Sequence, residues 1–306
     1  MSMSMSTSAT IPRSDLLPST TSTSSSSINS PSASPVISPI PSTASRSVAS
    51  IAHVGLRTSS SWSSWSWSAY GIENLTPRNV PAALDTIIAA FSNDRFNRYA
   101  RGEDMSLPPP APSLLKRLYY TLALHWFINR KITLTTTSSG GHALLVAYPP
   151  ASMARTGWRG VWDRIWGMGV DLVFGGISWG VGLFDSGRVK RRRAEIASKQ
   201  KSAVSAVLGE REKELMYVHI LATHPGYQGQ GHGGKLLDAM SEMTDSIGMS
   251  SWLLSSGPHN VPFYEKHGYR VVGEIRMGGD DPDWEDGELI APIMVRECRT
   301  PEKHDT

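Results

Sequence analysis

The densest candidate chemistry in the chain lies in the stretch HPGYQGQGHGGKLLDAM, from His224 to Met240. Gly229, Gly231, Gly233 and Gly234 run directly into a helical pattern. A turn of this composition lets main-chain N–H groups converge at a helix N-terminus, where unpaired first-turn donors and the helix dipole hold a phosphate. Gly229, Gly231 and Gly234 also spell the letters of a dinucleotide fingerprint. That site needs a strand running straight into its first glycine and an acidic residue about 20 positions on for the ribose. Here Pro225 to Gln228 intervene, and the next strand, WLLSS (Trp252 to Ser256), ends in serines. A Walker loop fails as well, because Lys235 lacks the required spacing and Leu236 stands where a hydroxyl belongs. A pyrophosphate cradle of another kind and a plain flexible loop both remain open.

A second stretch, HNVPFYEKHGY (His259 to Tyr269), puts Tyr264 one helical turn after Asn260. A tyrosine of ordinary pKa near 10 is protonated at neutral pH and can act as an acid. His219 lies on the strand before the glycine turn and is expected to titrate close to physiological pH. Strict alternation would set Tyr217, His219, Leu221 and Thr223 on one strand face, subject to a bulge. None of the nine histidines sits in a spaced set such as HExxH, so no metal is expected. The single cysteine, Cys298, excludes a disulfide within the chain.

Around these stretches the periodicity predicts an α/β domain built on a mixed sheet. YGIENL (Tyr70 to Leu75) reads as a strand, and Thr76-Pro77 as the cap of a helix over Val80 to Phe91. SNDRFNRYARG (Ser92 to Gly102) reads as a polar surface loop, and Leu114 to Ile128 as a second helix. Ile132 to Ser138 and Ala143 to Pro149 form a hairpin across Ser139 to His142. A charged helix spans Arg188 to Leu208 and stops near Gly209. A strand over ELMYVHILATH, the glycine turn, a helix over Lys235 to Ile247 and the strand WLLSS follow. The short helix VPFYEKHG, a strand over Tyr269 to Met277, the turn GGDDPDW and a terminal strand LIAPIMVRE complete the order.

With that order in place, Gln228-x-x-Gly231-x-Gly233 resembles the acetyl-CoA-binding motif of the GNAT family of N-acetyltransferases, closest in flavour to the puromycin N-acetyltransferase type. The resemblance runs through SSGPHNVPFYEKHGYRVVGE and covers residues 214 to 277, extending less closely over 70 to 149. It implies a mostly antiparallel central sheet flanked by helices, α+β in organisation, with a bulged strand splayed from a parallel neighbour at the cofactor site. Backbone of Leu221, Ala222 and Thr223 would then hold pantetheine. Gln228, Gly229, Gln230, Gly231, Gly233 and Gly234 would surround the pyrophosphate, Gln228 replacing the commoner Arg. Asn260 and Phe263 would lie along the cofactor arm, and Tyr264 would protonate the departing sulfur. His219 is the leading candidate base, with Glu214 behind it and water a further option. The acceptor implied is a small-molecule primary amine. Phe96, Tyr99, Trp158, Trp162 and Tyr217 are candidate lining residues, although each also suits a core. The alternatives are a protein or peptide N-acetyltransferase and a non-catalytic acyl-CoA-binding module.

Composition bounds the rest. Of the first 50 residues, 25 are Ser or Thr and six are Pro, too little apolar surface to repay ordering. Residues 1–69 are therefore expected to be disordered, and residues 70–306 to form the acetyltransferase domain. SSWSSWSWSAY (Ser60 to Tyr70) reads as a linker or a short edge strand. Arg13, Arg46 and Arg57 leave a mitochondrial leader as an alternative to a cytoplasmic location. The run Arg188, Lys190 to Arg193 admits a nuclear or nucleic-acid alternative, but a solvated helix face suits it better. Met168 to Phe184, within a Trp- and Gly-rich insertion at about 150–186, is short for a membrane span and contains Asp171. It is expected to cover the domain's own core or pocket. No stable membrane insertion and no nucleic-acid partner are expected, and monomer and homodimer are both open.

Overall fold

The computed structural model describes residues 67–130, 134–138, 140–150, 165, 167–173, 175–176, 180 and 185–299. Three short or medium strands, β1 (Ile72–Asn74), β2 (Leu134–Ser138) and β3 (Ala143–Tyr148), precede the long β4 (Met216–Thr223). β5 (Ser251–Leu254), β6 (Arg270–Met277) and β7 (Leu289–Arg296) follow. Together they form one seven-stranded sheet in the order β1-β2-β3-β4-β5-β7-β6. Every neighbouring pair is antiparallel except β4 and β5, which run parallel.

The helices are α1 (Val80–Ala90), α2 (Arg95–Ala100), α3 (Leu114–Asn129), α4 (Gly187–Leu208), α5 (His232–Ser246) and α6 (Val261–Lys266). On one sheet face Leu236, Leu237, Met240 and Met243 of α5 pack onto Leu145, Val218, Leu253 and Met294. The other face carries two separate clusters. α1 and α3 cover Leu144, Val146, Ile220 and Ala222. α2 and α4 cover Trp252, Ile275, Ile293 and Val295. The apolar positions of β3 alternate accordingly, odd residues toward α5 and even residues toward α1 and α3.

The sheet and the long helices follow the sequence pattern, and the departures are local. The α1 start is capped by Asn79, not by the Thr76-Pro77 pair, which lies in the preceding turn; the Thr76 N–H donates to Asn79 Oδ1 at 3.0 Å. The expected loop after α1 contains α2. Asp94 caps it by accepting the Asn97 N–H at 2.8 Å, and Phe96 and Tyr99 bury beneath it. Six residues are too few to register as a helical period. The described residues begin at Trp67, in a short 3-10 turn over Trp67–Tyr70, and the Trp67 side chain enters the α5-side core. Residues 1–66, expected to be disordered, lie outside the described residues.

The basic run on α4 is held by acidic partners. Arg192, 1% exposed, reaches Asp281 Oδ2 from Nε at 2.5 Å and donates to the Asp283 carbonyl at 2.8 Å. Its guanidinium lies over the Tyr99 ring at 4.5 Å and the Trp284 ring at 5.3 Å. Arg191 pairs with Asp283 at 2.7 Å, and Arg193 pairs with Asp185. The contacts of Arg191 and Arg192 fasten α4 to the turn between β6 and β7, and that of Arg193 holds Asp185 just before the helix, so these three arginines anchor structure.

Candidate active site

β4 holds the site because its two ladders end differently. Against β3 it pairs along its length, Ala143 to Thr223 at one end and Tyr148 to Tyr217 at the other. Against β5 only Met216, Tyr217 and Val218 pair, with Ser251, Trp252 and Leu253, while β4 continues to Thr223. β5 leaves that line after Leu254, and the Ser255 N–H donates to the Pro292 carbonyl on β7 at 2.8 Å. The parallel pair therefore opens into a gap beside Ile220 to Thr223, and main-chain groups of β4 face it without a β5 partner.

A bulge stands at the mouth of that gap. Val146 pairs with Ile220 and Ala147 with Val218, so His219 is the extra residue of β4. The bulge shifts the alternation. Met216 and Val218 before it, and Leu221 after it, pack toward α5. Ile220 and Ala222 pack toward α1 and α3. Tyr217 and His219 lie on that second side with Tyr148, so Tyr217, His219, Leu221 and Thr223 do not share one face. One added residue is enough to invert a period of two.

The glycine turn closes the end of the gap. Gly231 is the N-cap of α5 with φ 81°, and Gly229 has φ 77°, both in the left-handed region that glycine tolerates best. Lys235 is the first residue whose N–H reaches back into the turn, to the Gly231 carbonyl at 3.0 Å. The first-turn N–H groups of His232, Gly233 and Gly234 have no intrahelical acceptor, and Gly231 supplies no side-chain cap. A methyl group on Gly233 would stand 2.8 Å from Thr223 Oγ1, so the helix backbone here packs directly against the Thr223 side chain. The two glutamines brace this arrangement from outside. Gln228 Nε2 donates to the Thr223 carbonyl and Gln230 Nε2 to the Gly226 carbonyl, each at 3.3 Å. Unpaired main-chain donors and a positive helix end whose glycines carry no side chain of their own fit a pyrophosphate group.

α6 lies across the gap. Tyr264 packs with Leu221, Val218 and Val261 in the α5-side core. Burial pushes its phenol up to about 12, so it carries its proton throughout the neutral range. Among the described residues its hydroxyl has no hydrogen-bond partner. Asn260, the N-cap of α6, donates from Nδ2 to Ser256 Oγ at 3.3 Å, which fixes the start of the helix. The Phe263 ring is partly exposed, 5.2 Å from Tyr264 and 4.8 Å from His267 between ring centres.

The opposite side of the gap is aromatic. Tyr217 stacks on Trp252 at 4.3 Å and on Tyr148 at 6.2 Å. His219 meets Tyr148 at 5.1 Å, Tyr217 at 5.5 Å and Phe127 at 6.1 Å. Burial pushes its imidazole down to about 4, and among the described residues its buried Nδ1 has no hydrogen-bond partner. His219 is thus neutral at physiological pH, contrary to the sequence expectation of a group titrating there. The alternation pattern could not reveal this, because the enclosing rings come from α3, β3 and β4. Tyr148 is the residue the sequence reading missed; it lies on a strand that the pattern marked only as part of a hairpin.

Other expected lining residues are placed elsewhere. Phe96 and Tyr99 are buried under α2, with Tyr99 edge-on to Trp284 at 5.0 Å and its hydroxyl on Glu195 Oε2 at 2.5 Å. They form core and do not line the gap. Trp158 and Trp162 lie outside the described residues. Within the insertion, residues 167–173 are helical and Asp171 ties them to α3, accepting from Trp126 Nε1 at 2.9 Å and facing Arg130 Nη1 at 3.3 Å. Met168 and Leu172 are 69% and 79% exposed, so these described positions present apolar side chains to solvent and do not cover the core. Glu214, the lesser candidate base, precedes β4 in an exposed 3-10 turn. No described helix is long and apolar enough to cross a membrane.

Comparison with known proteins matches this region. Residues 190–278, from α4 through β6, match the family model described as an acetyltransferase (GNAT) domain. An uncharacterized N-acetyltransferase of Schizosaccharomyces pombe is 31% identical over 96 residues, which are 31% of this chain and 39% of that protein. A second from the same organism is 30% identical over 97 residues, covering 32% and 37%. The chain thus spans about two fifths of the length of the curated relatives it matches. Among solved structures, arylalkylamine N-acetyltransferase 2 of Aedes aegypti aligns with a TM-score of 0.47 at 10% identity, over 74% of this chain and 98% of that one.

Proposed function

The chain belongs to the GNAT family of acetyltransferases, and from that premise we propose that it transfers an acetyl group from acetyl-CoA to the primary amine of a small molecule. The observation that supports this best is the gap between β4 and β5, bounded by the glycine turn at one end and flanked by Tyr264 and His219. Bound there, acetyl-CoA supplies the thioester whose acyl carbon the amine attacks.

The first-turn N–H groups of His232, Gly233 and Gly234 hold the pyrophosphate, and those main-chain groups of Leu221 to Thr223 that β3 and Gln228 leave free hold the pantetheine amides. Tyr264 donates to the thiolate as that leaves; with the phenol held up to about 12 and the thiol near 8.5 the transfer is uphill, and it is drawn forward as the proton released by the amine returns through water to the tyrosine. His219 keeps its neutral form and orients the amine through a ring nitrogen, while the amine proton departs through water. An imidazole pushed down to about 4 is too weak a base to strip an ammonium group itself.

The acceptor follows from the wall it meets. Tyr148 and Tyr217, only partly buried, offer ring faces and edges backed by the buried Trp252 and Phe127, and burial pushes both phenols up, so both stay neutral. Such a wall suits an amine with an aromatic or apolar body. The test is a mass-spectrometric panel of arylalkyl amines, polyamines and amino-terminal peptides incubated with acetyl-CoA and the full chain. Acetylation of the aryl and alkyl amines ahead of the others is expected. Preference for peptides would replace the small-molecule reading.

A further inference from the structure

We propose that His267, braced by Asp238, is a positioning residue that fixes Tyr264 relative to the glycine turn. The proposal rests on the acetyltransfer reading and assigns a role within that site. His267 Nδ1 lies 2.5 Å from Asp238 Oδ1, which joins the end of α6 to the side of α5. The imidazole side chain is 10% exposed although its carboxylate partner is 56% exposed, so the ring is covered while the pair opens to solvent only at the acid. With a carboxylate as acceptor, Nδ1 carries the proton.

The ring is also pressed onto the glycine turn. A methyl group on Gly234 would stand 3.1 Å from His267 Cε1 and 3.2 Å from Nε2. Phe263, one turn earlier on α6, comes within 3.9 Å of the corresponding point on Gly233. Phe263 and His267 therefore form one face of α6 that rests on the first turn of α5, and Gly234 is small because an imidazole occupies the space. Tyr264 projects from the same short helix. Its carbonyl accepts the N–H groups of His267 at 3.0 Å and Tyr269 at 3.1 Å. Tyr269 in turn meets Ser251 Oγ on β5 at 2.7 Å. α6 is thus held at two points, to β5 through Tyr269 and to α5 through His267, with the Tyr264 phenol between them. A helix of six residues has too little internal cooperativity to hold that phenol unaided.

The test compares His267→Ala, His267→Gln and Asp238→Ala in the full chain, alone and with Tyr264→Phe. His267→Ala is expected to lower kcat about tenfold with donor KM changed less than about threefold, since the phosphate-binding N–H groups belong to α5. His267→Gln, which can still donate to Asp238, should recover most of the rate. In the Tyr264→Phe background the His267→Ala loss should shrink below about threefold, because the group it positions is gone. Full additivity of the two losses, or a rise in donor KM with kcat unchanged, overturns the proposal. Hydrogen exchange supplies a readout that needs no turnover: the N–H groups of His267, Gly268 and Tyr269 should exchange faster in His267→Ala and Asp238→Ala, while the α5 interior is unchanged. Unchanged exchange at those three positions also overturns it. If the wild-type chain binds CoA but acetylates no amine, the acetyltransfer reading fails while exchange still decides whether the brace exists.

Discussion

A methyl group added to Gly233 would stand 2.8 Å from the hydroxyl of Thr223, so the N-terminal end of α5 and the last residue of β4 touch with no room for a further side chain. The approach that aligns the turn with the gap depends on that contact. Gly233→Ala should weaken CoA binding by about tenfold or more, measured by calorimetric titration, because the first-turn N–H groups must back away from the strand. Thr223→Ala in the same chain removes the clashing oxygen and should restore much of the affinity. Equal weakness in the double variant would mean that the contact does not set the cradle.

Tyr264→Phe removes the proton donor and keeps the ring that packs against Leu221 and Val261. Turnover with acetyl-CoA should fall about 100-fold, the lower range for a lost acid, with CoA affinity within about twofold. Because burial holds the phenol up to about 12, no alkaline inflection below that pH should belong to Tyr264. A variant with wild-type turnover at every pH would remove Tyr264 from the chemistry.

His219 makes a prediction about stability as well as rate. Its folded pKa is pushed down to about 4, below the ordinary value near 6.5, so the fold accommodates the neutral ring. The stability tied to that ring is complete above about pH 6.5 and is lost as pH falls toward 4. The wild-type urea midpoint should therefore fall relative to that of His219→Phe as pH drops through that window. The rate profile should show no inflection between pH 6 and 7 that His219→Phe abolishes. A base titrating there would produce one.

The anchor of α4 is a buried ion pair. Burial, the largest single influence, would raise the Asp281 carboxyl, but the hydrogen bonds from Arg192 and the Asp283 N–H and the charges of Arg192 and Arg191 together outweigh it, and the pKa ends below the ordinary carboxylate value. Its contribution is present above that ordinary value and is lost as pH falls through the folded one. Asp281→Ala leaves the Arg192 charge buried without its acid and should cost about 3–5 kcal/mol by denaturant titration. Replacing both residues by apolar ones of similar volume should cost much less. A loss under about 1 kcal/mol for the single change would show that the charge finds water.

The strands, α1, α3, α4, α5 and the glycine turn could be read from the sequence because each carries a local signal: a period, a cap or a cluster of glycines. Gly231 and Gly233 were legible because the conformation and contact they permit leave a mark in residue type. The bulge at His219 was not. A single extra residue changes which face each later side chain takes, yet it leaves the strand pattern of β4 intact. The histidine's low pKa was hidden for a similar reason, since Phe127 and Tyr148 reach it from distant parts of the chain. Phe96 and Tyr99 looked like lining because aromatic residues in a polar stretch suggest a binding loop. They are core because Asp94 caps a short helix there and Arg192 lies against Tyr99.

The central claim is acyl transfer to an amine at the gap beside β4, and the most direct measurement follows free CoA thiol and acetylated amine together in the full chain at saturating acetyl-CoA. Thiol should appear only when an acceptor amine is present, in equal amount to the acetylated product, and both should slow together in Tyr264→Phe. Tight CoA binding with no amine-dependent thiol across the whole panel would contradict the account and leave an acyl-CoA-binding module in its place.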